Sequence, residues 1–225
     1  MEHPYLYIRI PGFEAYPHVT YTWVVMLILA AVAFATTRVL HLVPSGLQNF
    51  FEVVVEGIAD FMEDVIGPEG PKYMFLIGTL ALFILLSNLA GMIPGFTSPT
   101  SNLNTNAAMA ITVFCIYHVI GIKKHGLAYV KHFTGPIIWL APLMLPIELI
   151  GHFARILSLS VRLFGNIMGH DIILIILTVL AGLSVFIFWA PIPMIFMGIF
   201  ISFIQTFVFV LLSTIYIALA LEEEH

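Results

Sequence analysis

The sequence predicts an all-α, polytopic membrane protein with about five membrane helices and one amphipathic surface helix. Three observations point there. Of 225 residues, 60% are hydrophobic and only 9% charged, with a mean hydropathy of +1.05; a soluble domain carries about 25% charged residues. Several apolar stretches reach the roughly 20 residues that cross about 30 Å of hydrocarbon. Inside the longest of them, polar residues recur at helical spacing. The net charge of -5 and pI near 5.9 give no basic footprint for nucleic acid. The single cysteine, Cys115, forms no internal disulfide, and no Cys/His zinc spacing occurs. No metal or cofactor is expected.

The elements follow in order. "MEHPYLYIRIPGFEAYPH" lacks the basic region and short apolar core of a signal peptide. Residues 1–19 are therefore read as an outer segment before a retained first span. Residues 20–40, "TYTWVVMLILAAVAFATTRVL", make that span, with Trp23 near one interface and Arg38 at the other. Residues 47–66 repeat apolar residues at helical spacing, with Glu52, Glu56, Asp60, Glu63 and Asp64 on the other face. That pattern is an amphipathic interfacial helix. Residues 72–93 form the second span and end in "NLAGMIPG"; a polar, turn-rich loop leads to a short third span at 106–122. The basic cluster "KKHGLAYVKH" at 123–132 places its loop in the cytoplasm. Counting back puts Arg38 inside too and the N-terminus outside.

Residues 136–189 are apolar for over fifty positions without a clear polar loop. A helix of about 45 residues would run roughly 65–70 Å, twice the hydrocarbon thickness. It either breaks into two spans or lies steeply tilted. Pro142 and Pro146 can kink it, and Gly182 and "WAPIPM" mark possible turns. The last span occupies about 195–220. No repeat or linker divides the chain, so residues 1–225 are expected to form one membrane domain.

Within the long span the polar residues are Glu148, His152, Arg155, Ser158, Arg162, Asn166, His170 and Asp171. Their steps of three and four share one helix face. An ionisable residue in a membrane segment costs about 2.5–3.5 kcal/mol on the insertion scale. Such a ribbon should line an aqueous path or a charged interface. The bland alternative is internal pairing, for example of Glu148 with Arg155 or His152. Gly165 and Gly169 form a small-xxx-small pair at the ribbon's edge, suited to close packing. An arginine keeps its proton where a buried lysine loses it, and it lowers the pKa of a nearby carboxylate. Histidine and aspartate are the opposite kind of group, able to take up and release protons. A permanent cation with exchangeable groups a few turns away is what a gated proton relay needs.

"LSLSVRLFGN" with the polar pair that follows, the terminal "IQTFVFVLLSTIYIALALEEEH", "NLAGMIPG" and "PIEL" resemble the a subunit of the bacterial F-type ATP synthase membrane sector. The resemblance covers most of the chain from about residue 70. It implies a proton-translocating stator subunit, not itself an enzyme, that couples ion flow to rotation and ATP synthesis. Its implied partners are the c-subunit ring with its rotor carboxylate, the b-subunit stalk and membrane lipid. Protons are the default ion, and a sodium-translocating version of the same subunit is the alternative. Arg162 corresponds to the essential arginine that faces the ring and separates two offset half-channels. Gln205 corresponds to a glutamine near that arginine; the two are equidistant from residues 183–184, so a turn near Gly182 would bring them together. Asn166, His170 and Asp171 would line the outer path, Glu148 the inner path, and Ser158 a position beside the ring. Gly165 and Gly169 would pack toward the ring. In the family the long segment is one slanted crossing, which makes the last two helices a long tilted hairpin and the C-terminus cytoplasmic, in a bacterial inner membrane.

Two positions depart from the pattern. Some relatives carry histidine where this chain has Gly198; here His170, beside Asp171, is expected to supply the imidazole instead. Others carry an acid near Asn88 and Gly91. Rival classes fit less well. There is no HExxH, so zinc proteolysis lacks its ligands. His118 and His132, fourteen apart, are separated by loop residues, which disfavours haem ligation. Inverted broken-helix repeats of a secondary transporter are not visible. His125 and His132 are expected in a solvated loop, and the Met and Phe stripes of the last helix as packing surface.

Overall fold

The computed structural model describes residues 16–38, 41, 44, 46–93, 96–126, 129, 141–183, 189 and 191–222. The outer segment before Tyr16, His132 and most of the basic loop, and the turn after Leu183 lie outside these residues. All regular structure among the described residues is helical: α1 (Pro17–Thr37), α2 (Leu47–Ile66), α3 (Met74–Ala90), α4 (Leu103–His125), α5 (Ala141–Leu183) and α6 (Pro191–Leu221). Short 3-10 turns at Gly70–Tyr73 and Pro99–Ser101 precede α3 and α4. Five helices are long and apolar enough to cross a membrane. The architecture is that of an all-α integral membrane protein.

Local chemistry sets the helix ends. Pro17 opens α1, where a missing N–H costs nothing. Thr22, Thr36 and Thr37 hydroxyls return to carbonyls four residues back, which hides their polarity inside the span. Asn102 caps α4 by accepting the Asn104 N–H at 2.9 Å. Lys123, Lys124 and His125 fill its last turn, against the negative end of the helix dipole, and Gly126 ends it at φ 58°. His125 thus belongs to a helix end and not to a loop.

The long apolar stretch does not break. α5 is continuous for 43 residues, through both Pro146 and Gly182, and measures about 65 Å. A single crossing of about 30 Å by a straight helix of that length requires a tilt near 60°.

α4 packs on α5 and α6, α3 packs on α6, and α5 runs beside α6. α1 rests on α3 and the Pro99–Ser101 turn, and α2 lies against α6. Their common core includes Ile77, Ile84, Val113, Leu163, Phe209 and Ile217. The buried face of α6 carries a small and polar set, Gly198, Ser202, Gln205, Thr206, Ser213 and Thr214, interleaved toward its C-terminal end with Phe209, Val210 and Ile217. Ser202, Thr206 and Thr214 donate to carbonyls one turn back. The packing surface expected of the Met and Phe stripes is therefore elsewhere within this chain. Phe209 is buried, but Phe196, Met197, Phe200, Phe203 and Phe207 are exposed. In lipid, small residues gain most from close backbone approach, while large apolar ones lose nothing by facing acyl chains.

Candidate functional site

The polar ribbon of α5 has two edges. A helix turns about 100° per residue, so steps of three and four spread eight side chains over an arc, not a line. His152 and His170 fall on the edge that also carries Leu159, Leu163 and Ile167, and all five are buried. Ser158, Arg162 and Asn166 fall on the outward edge and are exposed.

Arg162 therefore points away from the bundle. Its guanidinium donates to Ser158 Oγ at 3.2 Å, one turn earlier. Gly165 and Gly169 lie beside it, and a methyl group built on either would meet nothing within 4 Å. They do not form a packing face inside this chain. One turn beyond Arg162, Asn166 Nδ2 donates to Gln205 Oε1 at 2.6 Å. The hydrogen bond that ties Gln205 to α5 thus runs to Asn166, with Arg162 left to Ser158. Gln205 is buried, so the pair brings an outward-facing edge into contact with the polar face of α6.

At one end of the ribbon, His170 fills the space that Gly198 leaves. A Cβ on Gly198 would overlap His170 Nε2 and Cε1 and lie 2.7 Å from Met92 Sδ. His170 Nε2 is 3.0 Å from the Met194 carbonyl. A carbonyl only accepts, so Nε2 carries the proton. Nδ1 is then the ring's acceptor nitrogen. It is buried, has no hydrogen-bond partner among the described residues, and lies 3.7 Å from Asp171 Oδ1. Nearby in sequence, Asn88 accepts from Thr100 Oγ1 at 2.6 Å, and Ser98 Oγ donates to the Ser87 carbonyl at 2.9 Å. A Cβ on Gly91 would sit 2.8 Å from Ser98 Cβ. The corner around Asn88 and Gly91 is thus neutral and hydrogen-bonded, with Asn88 buried.

At the other end, Glu148 lies 3.4 Å from His152 Nε2 and 3.9 Å from Arg155. Internal pairing therefore describes this end of the ribbon. His152 Nδ1 is 2.8 Å from the Tyr117 hydroxyl and 3.3 Å from Arg155. Arginine only donates, so Nδ1 accepts and Nε2 presents its proton toward Glu148. His118 stands 4.7 Å from His152, centroid to centroid, and its Nδ1 is 2.7 Å from the Tyr129 hydroxyl. Arg155 lies over the Tyr216 ring at 5.6 Å. Tyr117, Tyr129 and Tyr216 were not legible as site residues, because each meets the ribbon from a different element, and no spacing signals such a meeting. His118 belongs to this cluster; His132 lies outside the described residues. Among the described residues no three His, Cys, Asp or Glu side chains converge to hold a metal.

The family model described as ATP synthase A chain matches residues 19–218. The chain belongs to the ATP synthase A chain family. It is 57% identical over 210 residues to ATP synthase subunit a 2 of Syntrophotalea carbinolica, covering 93% of this chain and 88% of that protein. It is 52% identical to ATP synthase subunit a of Geobacter sulfurreducens, over 98% of this chain and 93% of the relative. Against ATP synthase subunit a of Syntrophobacter fumaroxidans identity is 50% over the full length of both. The match also takes in the first spans, where the sequence resembled the ATP synthase A chain family only in layout.

Proposed function

We propose that this chain is the proton-translocating stator subunit of an F-type ATP synthase membrane sector. Arg162 faces a ring of c subunits and attracts each rotor carboxylate in turn. An attracted carboxylate releases its proton, because an adjacent fixed cation favours the charged form. The same cation blocks protons from crossing directly between two offset half-channels. The outer path reaches the ring through Asp171, His170 and Asn166, with Gln205 holding Asn166. The inner path leaves past Ser158 toward Glu148. The chain catalyses no bond chemistry itself. It sits in a bacterial inner membrane beside the c ring and the b-subunit stalk, with its N-terminus outside and its C-terminus in the cytoplasm.

One observation carries the reading. A membrane-embedded arginine points outward, on a helix edge whose neighbours are two glycines with open space before them. An isolated guanidinium facing acyl chains is expensive. The edge is reasonable only if another protein bearing a negative charge covers it. The outer path finds support in His170, whose Nδ1 faces Asp171 and whose other nitrogen is committed to a carbonyl.

The test is Arg162→Lys in the complete complex, because an ammonium can lose its charge when desolvated. Proton-driven ATP synthesis in membrane vesicles should fall below detection, and ATP-driven proton pumping with it. Near-normal pumping by this variant overturns the assignment.

A further inference from the structure

α3 and α4 both pack on α6 and scarcely touch each other. A cleft of about 630 Å³ lies between them, with Leu221 of α6 at its base. Its walls divide by chemistry. Phe75, Cys115, Ile116 and Val119 form an apolar lining, and Phe75 is two-thirds exposed. Lys72, Lys123 and Lys124 stand along one rim. Lys72 precedes α3 and the other two end α4. The two spans run in opposite directions, so all three ammonium groups reach the same leaflet's headgroup level. Cys115 lies eight residues before Lys123, about 12 Å deeper along the helix.

The rim charges are only partly spent. Lys72 binds Glu69 at 2.8 Å, with both side chains largely in solvent. Such a surface pair is weak. Lys124 Nζ donates to the Leu221 carbonyl at 2.8 Å and keeps two N–H groups. Lys123 is exposed and makes no hydrogen bond or ion pair among the described residues. Among the described residues, the acids nearby are Glu69 on the rim and Glu222 just past the end of α6.

We propose that this cleft binds one anionic phospholipid, its phosphate held by Lys72 and Lys123 with Lys124 behind, and one acyl chain along the apolar wall. A free phosphate ion would satisfy the lysines but leave the wall uncovered. A partner's membrane helix would cover the wall but offer the ammonium groups nothing. A lipid of net negative charge does both, and basic crevices between membrane helices are where such headgroups bind. The site requires only that the chain spans a bilayer, so it is independent of the proton path.

The chain's one cysteine provides the test. Cys115 is labelled with a bimane in the assembled membrane sector, after any cysteines of the other subunits have been replaced by serine, and the sector is reconstituted in phosphatidylcholine vesicles. Quenching is compared for phosphatidylglycerol and phosphatidylcholine brominated on one acyl chain. Brominated phosphatidylglycerol should quench at about five-fold lower mole fraction, the factor that roughly one lysine confers at a membrane surface. The preference should vanish in the Lys72→Gln, Lys123→Gln double variant, which leaves Lys124 on α6. Equal quenching by both lipids overturns the proposal. So does no quenching by either, which means protein covers the wall. Loss of the preference on adding millimolar inorganic phosphate overturns it too, by making the rim a site for soluble anions.

Discussion

His170 occupies the volume that a side chain at position 198 would need, so the two residues cannot vary independently. Gly198→Ala would drive a methyl group into the imidazole and against Met92 Sδ. Overpacking of this kind costs about 1–3 kcal/mol, and it would push Nε2 off the Met194 carbonyl. A lower thermal midpoint of the detergent-solubilised protein, with slower proton flux, is the expected result. His170→Gly makes room at the same spot. The paired change His170→Gly, Gly198→His should then pass protons better than Gly198→His alone, measured as ATP-driven acidification of vesicles. Asp171→Asn probes the other half of the pair. It removes the carboxylate that faces Nδ1, so flux should slow and its pH dependence should move. An unchanged flux–pH curve would take both residues out of the path. Arg162, His170 and Asp171 were legible from residue type alone, since ionisable groups in an apolar run need a reason. Gly198 was visible only as a departure, because a cavity filled from another helix leaves no mark in local sequence.

Among the elements, α5 shows how far periodicity reaches. Three- and four-residue steps announced a polar face, and length announced either a tilt or a break. Hydropathy alone was silent between those two, because Pro146 sits near enough to the helix start to be absorbed and Gly182 lies in its last turn. The steps also concealed that the ribbon is wide enough to have a buried and an outward edge. That division makes a prediction about Gly165 and Gly169. A Cβ on either would meet nothing within 4 Å among the described residues, so leucine at 169 should leave the folded chain as stable as before. If the outward edge faces a rotor, the same leucine should block close approach and impair assembly or coupling. Co-purification of the c ring with the variant, set beside the melting temperature of the isolated subunit, separates these effects. Intact assembly with intact coupling would mean that the edge faces lipid.

Across the whole molecule, polar links join the helices: Tyr117 to His152 between α4 and α5, which is buried, and two part-buried ones, Asn166 to Gln205 between α5 and α6 and Lys124 to the end of α6. Water drives no association between helices already in lipid, so packing and such links decide which faces meet. The sequence displayed every one of these residues, yet not who meets whom, because partners lie 35 to 97 positions apart. The Asn166–Gln205 link, with the His170–Met194 contact farther along, aligns the arginine-bearing edge with the polar face of α6. Interhelical hydrogen bonds of this kind average about 0.6 kcal/mol and reach about 1.7. At 2.6 Å, with one partner buried, this one belongs toward the upper figure. A double-mutant cycle of Asn166→Ala and Gln205→Ala, read by reversible unfolding in mixed micelles, should return a coupling of about 1–2 kcal/mol. Because the link also orients the ribbon, each single variant should lose proton flux by a larger factor than its stability loss explains. Additive stabilities with additive flux losses would mean that the two side chains act separately, and that the alignment of α5 on α6 rests on apolar packing and the His170–Met194 contact.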